Sequence, residues 1–259
     1  MKRDIISFQD VSFSYHDLTG ETKTLHQLNF SIKEGEFVSI VGPSGCGKST
    51  LLSLIARIHT PSKGQIHFMN DTSDPNIGYM LQMDHLFAWR SIWSNCLLGL
   101  EIQGKLTKET IAYVEYLLKE YGLYDVKDKK PNELSGGMRQ RVALIRTLVL
   151  HPDLLLLDEP FSALDFQTRL EVSSDIVSII KKHKKTAILI THDLSEAISL
   201  SDRILVFSKR PATLLDDIDI SLTKMDHTVL AARNAPEFNN YFNLLWNELD
   251  FKEVTSNEA

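Results

Sequence analysis

The chain has 259 residues, 43% hydrophobic and 24% charged, which is ample for one large core or two closely packed subdomains. Its net charge of −6 supplies no overall field drawing it to nucleic acid or anionic lipid, although a local basic patch stays open. The longest stretch free of Asp, Glu, Lys and Arg runs only from Phe37 to Gly47, whereas a membrane-spanning helix needs about 20 predominantly apolar residues, so no segment reads as crossing a bilayer.

The chain opens on "MKRDIISFQD", with an acid at Asp4 and no apolar leader segment, and it holds two cysteines, Cys46 and Cys96. A reducing cytoplasm is the expected setting. "IISFQDVSFSY" and "LHQLNFSI" alternate or cluster apolar residues and predict strands, and "GEFVSIVG" predicts a short buried strand ending in a glycine loop. "STLLSLIARI" has helical spacing; "GQIHFM" and "IGYMLQ" are strand candidates around the polar turn "NDTSDPN". From about Met83 to Leu150 the pattern is helical, in "LTKETIAYVEYLLKEYGL" and "GMRQRVALIRTLVL". Strands return after Pro152 as "LLLLDE", "TAILITHD" and "RILVFSK", separated by helical patterns. This predicts a parallel α/β core interrupted by a helical insertion. "KKHKK" at Lys181 to Lys185 reads as a solvated helix end. Near the C-terminus Phe238, Tyr241, Phe242, Leu245, Trp246 and Leu249 fall on one helix face, which is expected to dock on the core rather than on a partner.

Gly42-Pro43-Ser44-Gly45-Cys46-Gly47-Lys48-Ser49, followed by Thr50, fits the phosphate-loop pattern between a strand and a helix. The glycines let backbone N–H groups approach phosphate oxygens, and the helix N-terminus adds positive potential. Lys48 is expected to reach the β- and γ-phosphates of a nucleoside triphosphate, and the Ser49 hydroxyl to ligate Mg²⁺. "LLLLDEP" suits a strand buried on both faces, with Asp158 placed to hold Mg²⁺ and Glu159 to act as general base on the attacking water. Cys46 at a helix N-terminus is expected to have a lowered thiol pKa, so that maleimide inactivates the protein and ATP protects it.

A second glycine turn, "ELSGGMRQR" at Glu133 to Arg141, has no role in that loop. "LSGGMRQ" between a phosphate loop and "LLLLDEP" resembles the signature of ATP-binding cassette (ABC) ATPases, with Met138 where many relatives carry glutamine. The resemblance extends over essentially the whole chain. It implies that Tyr15 in "VSFSY" stacks on adenine, that Gln82 in "GYMLQ" links Mg²⁺ and water to the partner surface, and that "SALD", ending at Asp165, follows the catalytic glutamate. It also implies that His192 in "LITHD" contacts the γ-phosphate. Two cassettes then pack head to tail, so that Ser135, Gly136 and Gly137 hold the γ-phosphate bound by the opposite subunit.

The implied fold is a P-loop NTPase (RecA-like) core with an N-terminal antiparallel β subdomain and an inserted α-helical subdomain. Residues 1–235 form the ATPase domain, with the helical part at approximately 83–150, and residues 236–259 a C-terminal amphipathic helix and polar tail. In such proteins the region holding Leu86, Phe87, Trp89, Arg90, Ile92 and Trp93 receives a short helix of the membrane subunit; core packing is the competing reading of these residues. "LFAWRSIWSN", "KRPATLLDDIDI" and "PEFNNYFNLLWNEL" are similar to the nitrate, sulfonate, taurine and hydroxymethylpyrimidine importer group. The implied setting is the cytoplasmic face of the membrane, as a homodimer or paired cassette with separate permease subunits, an extracytoplasmic solute-binding protein and no nucleic acid. An ABC-type ATPase acting on ribosomes or DNA is the alternative, and a non-hydrolysing regulatory cassette is disfavoured because Glu159 and His192 are both present.

Overall fold

A computed structural model of the protein describes residues 3–18, 20–68, 75–223 and 228–255. Most of the "NDTSDPN" turn and the end of the polar tail lie outside the described residues. In chain order the structure begins with β1 (Asp4–Asp17), β2 (Gly20–Lys33), β3 (Phe37–Val41), α1 (Lys48–Ile55) and β4 (Lys63–Phe68). There follow β5 (Ile77–Met80), α2 (Ile92–Ile102), α3 (Lys108–Glu120), α4 (Gly136–Leu148), β6 (Leu154–Asp158) and α5 (Phe166–Lys182). The chain ends with β7 (Thr186–Ile190), α6 (Leu194–Leu200), β8 (Arg203–Phe207), β9 (Leu214–Asp219), α7 (Val229–Arg233) and α8 (Phe238–Thr255). Two compact units result, residues 1–75 with 184–259, and residues 76–183. The second unit therefore takes in β5, β6 and α5 as well as the helices of the expected insertion.

In the first unit β2, β1 and β4 form an antiparallel sheet in that order. β3 is parallel to β7 on one side and to β8 on the other, with Ile40 opposite Ile190 and Val41 opposite Val206. All residues of these three strands are buried, which is why they read as largely apolar runs, broken only by Ser39 and by Thr186 and Arg203 at strand starts. Because the strands are parallel and in register, the segments starting at Gly42, Thr191 and Ser208 leave at the same edge. β9 adds an antiparallel outer strand whose acids suit an edge position. Its Asp217 carboxylate accepts from the Arg203 guanidinium, which also reaches Glu36 at 3.2 Å and the Ser31 carbonyl at 3.1 Å.

α8 closes one face of this unit. Phe238 and Leu245 are buried against Val41, Leu194, Ile198 and Val206, with Tyr241, Phe242 and Leu249 packed around them. The expected docking of this helix is thus met by five of the six residues of the face read from its sequence; Trp246 instead stays 54% exposed.

In the second unit β5 and β6 are parallel, with Met80 opposite Leu157, so Gln82 and Asp158 leave at one edge. α2, α3, α4 and α5 begin at Ser91, Thr107, Ser135 and Asp165, each of which accepts a bond from a backbone N–H of the first turn. The basic end of α5 is not merely solvated, since Lys182 pairs with Glu120 of α3.

Candidate functional site

The phosphate loop hangs between the end of β3 and the start of α1. Gly45 and Gly47 have φ of 73° and 123°, conformations that a side chain disfavours. A Cβ on Gly47 would also stand 2.9 Å from both Leu25 Cδ2 and Thr24 Cγ2, so the loop lies directly on β2. Lys48 opens α1, and its ammonium donates to the carbonyl oxygens of Gly42 at 2.7 Å and Pro43 at 3.0 Å. The cation thus lies along the concave loop, beside a helix N-terminus without acidic residues, an arrangement that attracts an anion.

Tyr15 is 39% exposed at the side of this loop, with its hydroxyl 3.2 Å from Thr50 Oγ1. Its ring meets Phe13 and His59 edge-on, at centroid distances of 4.8 and 5.7 Å. Three contacts therefore orient the aromatic face near the loop. Cys46 contradicts the expectation drawn from its position. It is buried, and burial raises its thiol pKa despite the nearby Lys48 charge. Desolvation outweighs the helix N-terminus here. Cys46 is a small residue filling space.

On the β7 side of the loop His192 is exposed, and its backbone is fixed from both sides. Thr191 Oγ1 donates to the buried Glu196 carboxylate at 2.6 Å and accepts from Asp193 N at 3.0 Å. Asp193 caps α6 by accepting from the N–H groups of Ser195 and Glu196. Nothing in the sequence reading singled out Thr191 or Glu196; a threonine before "HD" with a glutamate five residues on was the available signal.

In the second unit Asp158 and Glu159 end β6. Asp158 accepts from the Tyr79 hydroxyl at 3.3 Å, and burial together with the Asp158 charge pushes the Tyr79 pKa up. Glu159 has φ of 45°, strained for a non-glycine residue, and such strain concentrates at functional positions. The Gln82 amide lies 3.5 Å from its carboxylate and 3.4 Å from Ser162 Oγ. Ser162 Oγ in turn donates to the Glu159 carbonyl at 3.0 Å. The fold thus gathers Gln82, Asp158 and Glu159, and adds Tyr79 and Ser162, which the sequence reading left without roles.

Ser135 is exposed at the start of α4 and accepts from Met138 N at 3.3 Å. A Cβ on Gly137 would stand 2.8 Å from Val172 Cγ2, so this glycine lets α4 approach α5 closely. Arg139 donates to the Leu134 carbonyl at 2.9 Å and to the Asp84 carboxylate at 2.9 Å. Asp165 caps α5 by accepting from Thr168 N, and hydrogen bonds from the Thr168 side chain and then its backbone hold the Asp165 carboxyl below the usual range. The Ser49 hydroxyl in the first unit, and the Asp158 carboxylate and Gln82 amide oxygens in the second, are each hard oxygen ligands of the kind Mg²⁺ takes. Among the described residues no cluster of three or more His, Cys, Asp or Glu could hold a metal ion.

The loop after β5 is apolar and outward-facing: Leu81, Met83, Phe87 and Trp89 are all exposed, with Phe87 and Trp89 rings 4.9 Å apart. Ile92 is fully buried and Trp93 half-buried, which divides this segment between surface and core. Asn95, itself buried, accepts from Phe87 N at 2.8 Å and donates to the carbonyls of Phe87, Arg90 and Ser91. Arg90 is pinned by Glu101 at 2.8 Å. No helix among the described residues is long and apolar enough to cross a membrane.

Comparison with known proteins bears on these features together. Residues 25–162 match the ABC transporter family model. An uncharacterized ABC transporter ATP-binding protein of Bacillus subtilis is 46% identical, over 94% of this chain and 95% of its own. A formylaminopyrimidine import ATP-binding protein of Halalkalibacterium halodurans is 40% identical over 82% of each chain. A nitrate import ATP-binding protein of Synechocystis sp. is 38% identical over 93% of each. Among solved structures, a dimeric ATP-binding cassette in a post-hydrolysis state with ADP and Pi superposes with a TM-score of 0.70 at 30% identity, covering 83% of this chain and 99% of that one.

Proposed function

The chain belongs to the ABC transporter family and is an ATPase of the P-loop class, and from that premise we propose that it energises a membrane importer for a small anionic or heterocyclic solute. The carrying observation is that nitrate and formylaminopyrimidine import ATP-binding proteins align with most of this chain and most of themselves. Nitrate, a sulfonate such as taurine, and a pyrimidine precursor are the solute classes we infer.

In the mechanism we infer, the N–H groups of Gly42 to Thr50 and the Lys48 ammonium bind the β- and γ-phosphates, and Tyr15 presents its face to adenine. Glu159 accepts a proton from a water as the water oxygen attacks the γ-phosphorus and the bond to the β-phosphate oxygen breaks, giving ADP and phosphate. Gln82 orients that water and His192 contacts the γ-phosphate. Ser49, Asp158 and Gln82 would hold Mg²⁺, which would supply charge neutralisation to the triphosphate. Ser135, Gly136 and Gly137 serve the ATP of a second cassette, so hydrolysis removes contacts that favour the closed pair.

We further assign residues 1–235 to the ATPase domain, with its helical part at about 83–150, and residues 236–259 to a C-terminal helix and tail. The exposed loop from Leu81 to Trp89 is the surface we assign to separate permease subunits, which hold the ATPase peripherally at the cytoplasmic face. An extracytoplasmic solute-binding protein completes the system. Affinity purification of the tagged full chain from solubilised membranes tests this: an integral membrane protein is expected to co-purify, and recovery with ribosomal material instead overturns the importer reading.

A further inference from the structure

The turn Ser208-Lys209-Arg210-Pro211 between β8 and β9 is basic, and the ATPase mechanism above makes no use of it. Since β8 flanks β3 on the side away from β7, this turn leaves the sheet beside Gly42, as His192 does on the other side. Contact at its first end is direct, because a Cβ on Gly42 would stand 2.9 Å from the Phe207 carbonyl oxygen. Its second end is fastened to β2: Ala212 N donates to the Thr24 carbonyl at 2.8 Å, and His26 N to the Ala212 carbonyl at 2.9 Å. Thr24 is the residue whose methyl abuts Gly47.

The turn is also closed on itself. Ser208 N donates to the Thr213 carbonyl at 3.0 Å, and Thr213 N to Ser208 Oγ at 2.8 Å. It is therefore a rigid strap whose two ends lie next to the first and last glycines of the phosphate loop, with Arg210 exposed between them. The Arg210 charge is the smallest of the influences on the Cys46 thiol inside that loop, where it adds to Lys48 against the effect of burial.

We propose that Arg210 supplies a second cation to the nucleotide site, acting on the triphosphate from the flank of the phosphate loop opposite His192. The proposal rests on reading Gly42 to Thr50 as the triphosphate cradle. An exposed guanidinium on this strap acts mainly through its field, so its effect scales with ligand charge and is screened by salt beyond a distance of about 10 Å at 0.1 M. A merely solvated turn predicts neither dependence.

The test is equilibrium binding of ATP and of AMP to the purified full chain, at low and high salt. Arg210→Ala is expected to weaken ATP binding about three- to tenfold at low salt and AMP binding less, with the difference fading at high salt. Arg210→Lys should keep most of the affinity, and Arg210→Glu should lose more than Arg210→Ala. An unchanged melting temperature for Arg210→Gln shows that the fold is intact. Parental ATP affinity in Arg210→Ala, or a loss equal for ATP and AMP or indifferent to salt, overturns the second cation. If the parent binds ATP and Lys48→Ala does not, such a result leaves the cradle standing; a parent that fails to bind ATP sinks both.

Discussion

Arg139 Nε donates to the Asp84 carboxylate at 2.9 Å, joining the first turn of α4 to the loop that follows Gln82. Farther along α4, Arg146 donates to the carbonyls of Asp84 and His85, both at 2.8 Å. The exposed apolar loop and the Ser135-Gly136-Gly137 tip are thereby parts of one rigid piece. A push on the first is therefore expected to reach the second.

Arg139→Ala is accordingly expected to separate stability from coupling. The ion pair is partly exposed, so its loss should cost on the order of 1 kcal/mol or less. In the proposed importer, solute-stimulated ATPase activity should fall by a larger factor than basal ATPase. Equal falls in both would assign Arg139 to folding alone.

Glu159→Gln is expected to keep ATP binding and to cut turnover by about 10²- to 10⁴-fold, the contribution of a lost general base. Phosphate release under saturating ATP measures this. Turnover at the parental rate would remove Glu159 from that role.

The cross-subunit account is checked by complementation. Lys48→Ala and Ser135→Ala homodimers should each lack an intact site, whereas a mixed dimer retains one. Partial recovery of ATPase activity on mixing is the expected outcome, and mixtures no better than either parent contradict shared sites.

Both thiols are expected to resist reagents in the native protein, because Cys46 and Cys96 are buried with raised pKa values. Burial lifts Cys96 from 9.0 to about 12, against a small opposing effect of Arg146. The neutral thiol is the folded form, so this contribution is fully present below pH 9.0 and is lost as pH rises toward about 12, where the unfolded chain ionises first. In Cys96→Ala the alkaline loss of stability over that window should be shallower. Rapid labelling of the native protein by maleimide at neutral pH would reject the burial argument.

On α8, Leu245→Ala should cost about 2–5 kcal/mol, since it empties a fully buried position. Trp246→Ala, one residue on, should stay within about 0.5 kcal/mol. Denaturant unfolding of the two variants distinguishes a helix built into the core from an appended one.

The phosphate loop, the leucine strand and the serine-glycine turn were legible because each needs particular residues at fixed spacing. β9 escaped notice because Asp216, Asp217 and Asp219 break the apolar alternation; an edge strand tolerates them and Arg203 pairs with one. α7, with only five residues, shows no period. The supports of the site, Tyr79 on Asp158 and Glu196 on Thr191, come from folding brought to completion rather than from any local pattern. Cys46 misled because its position suggested activation while its burial, which only packing reveals, decides the sign.

Asn95 has one further consequence. A buried amide that fixes the backbone from Phe87 to Ser91 leaves the outward side chains free to vary without redirecting the chain. Shape and identity are then separate variables at this surface. On the proposal that this loop faces the permease, exchanging Phe87 and Trp89 for the corresponding residues of a sister ATPase is expected to re-pair the engine with a different transporter while leaving its chemistry alone.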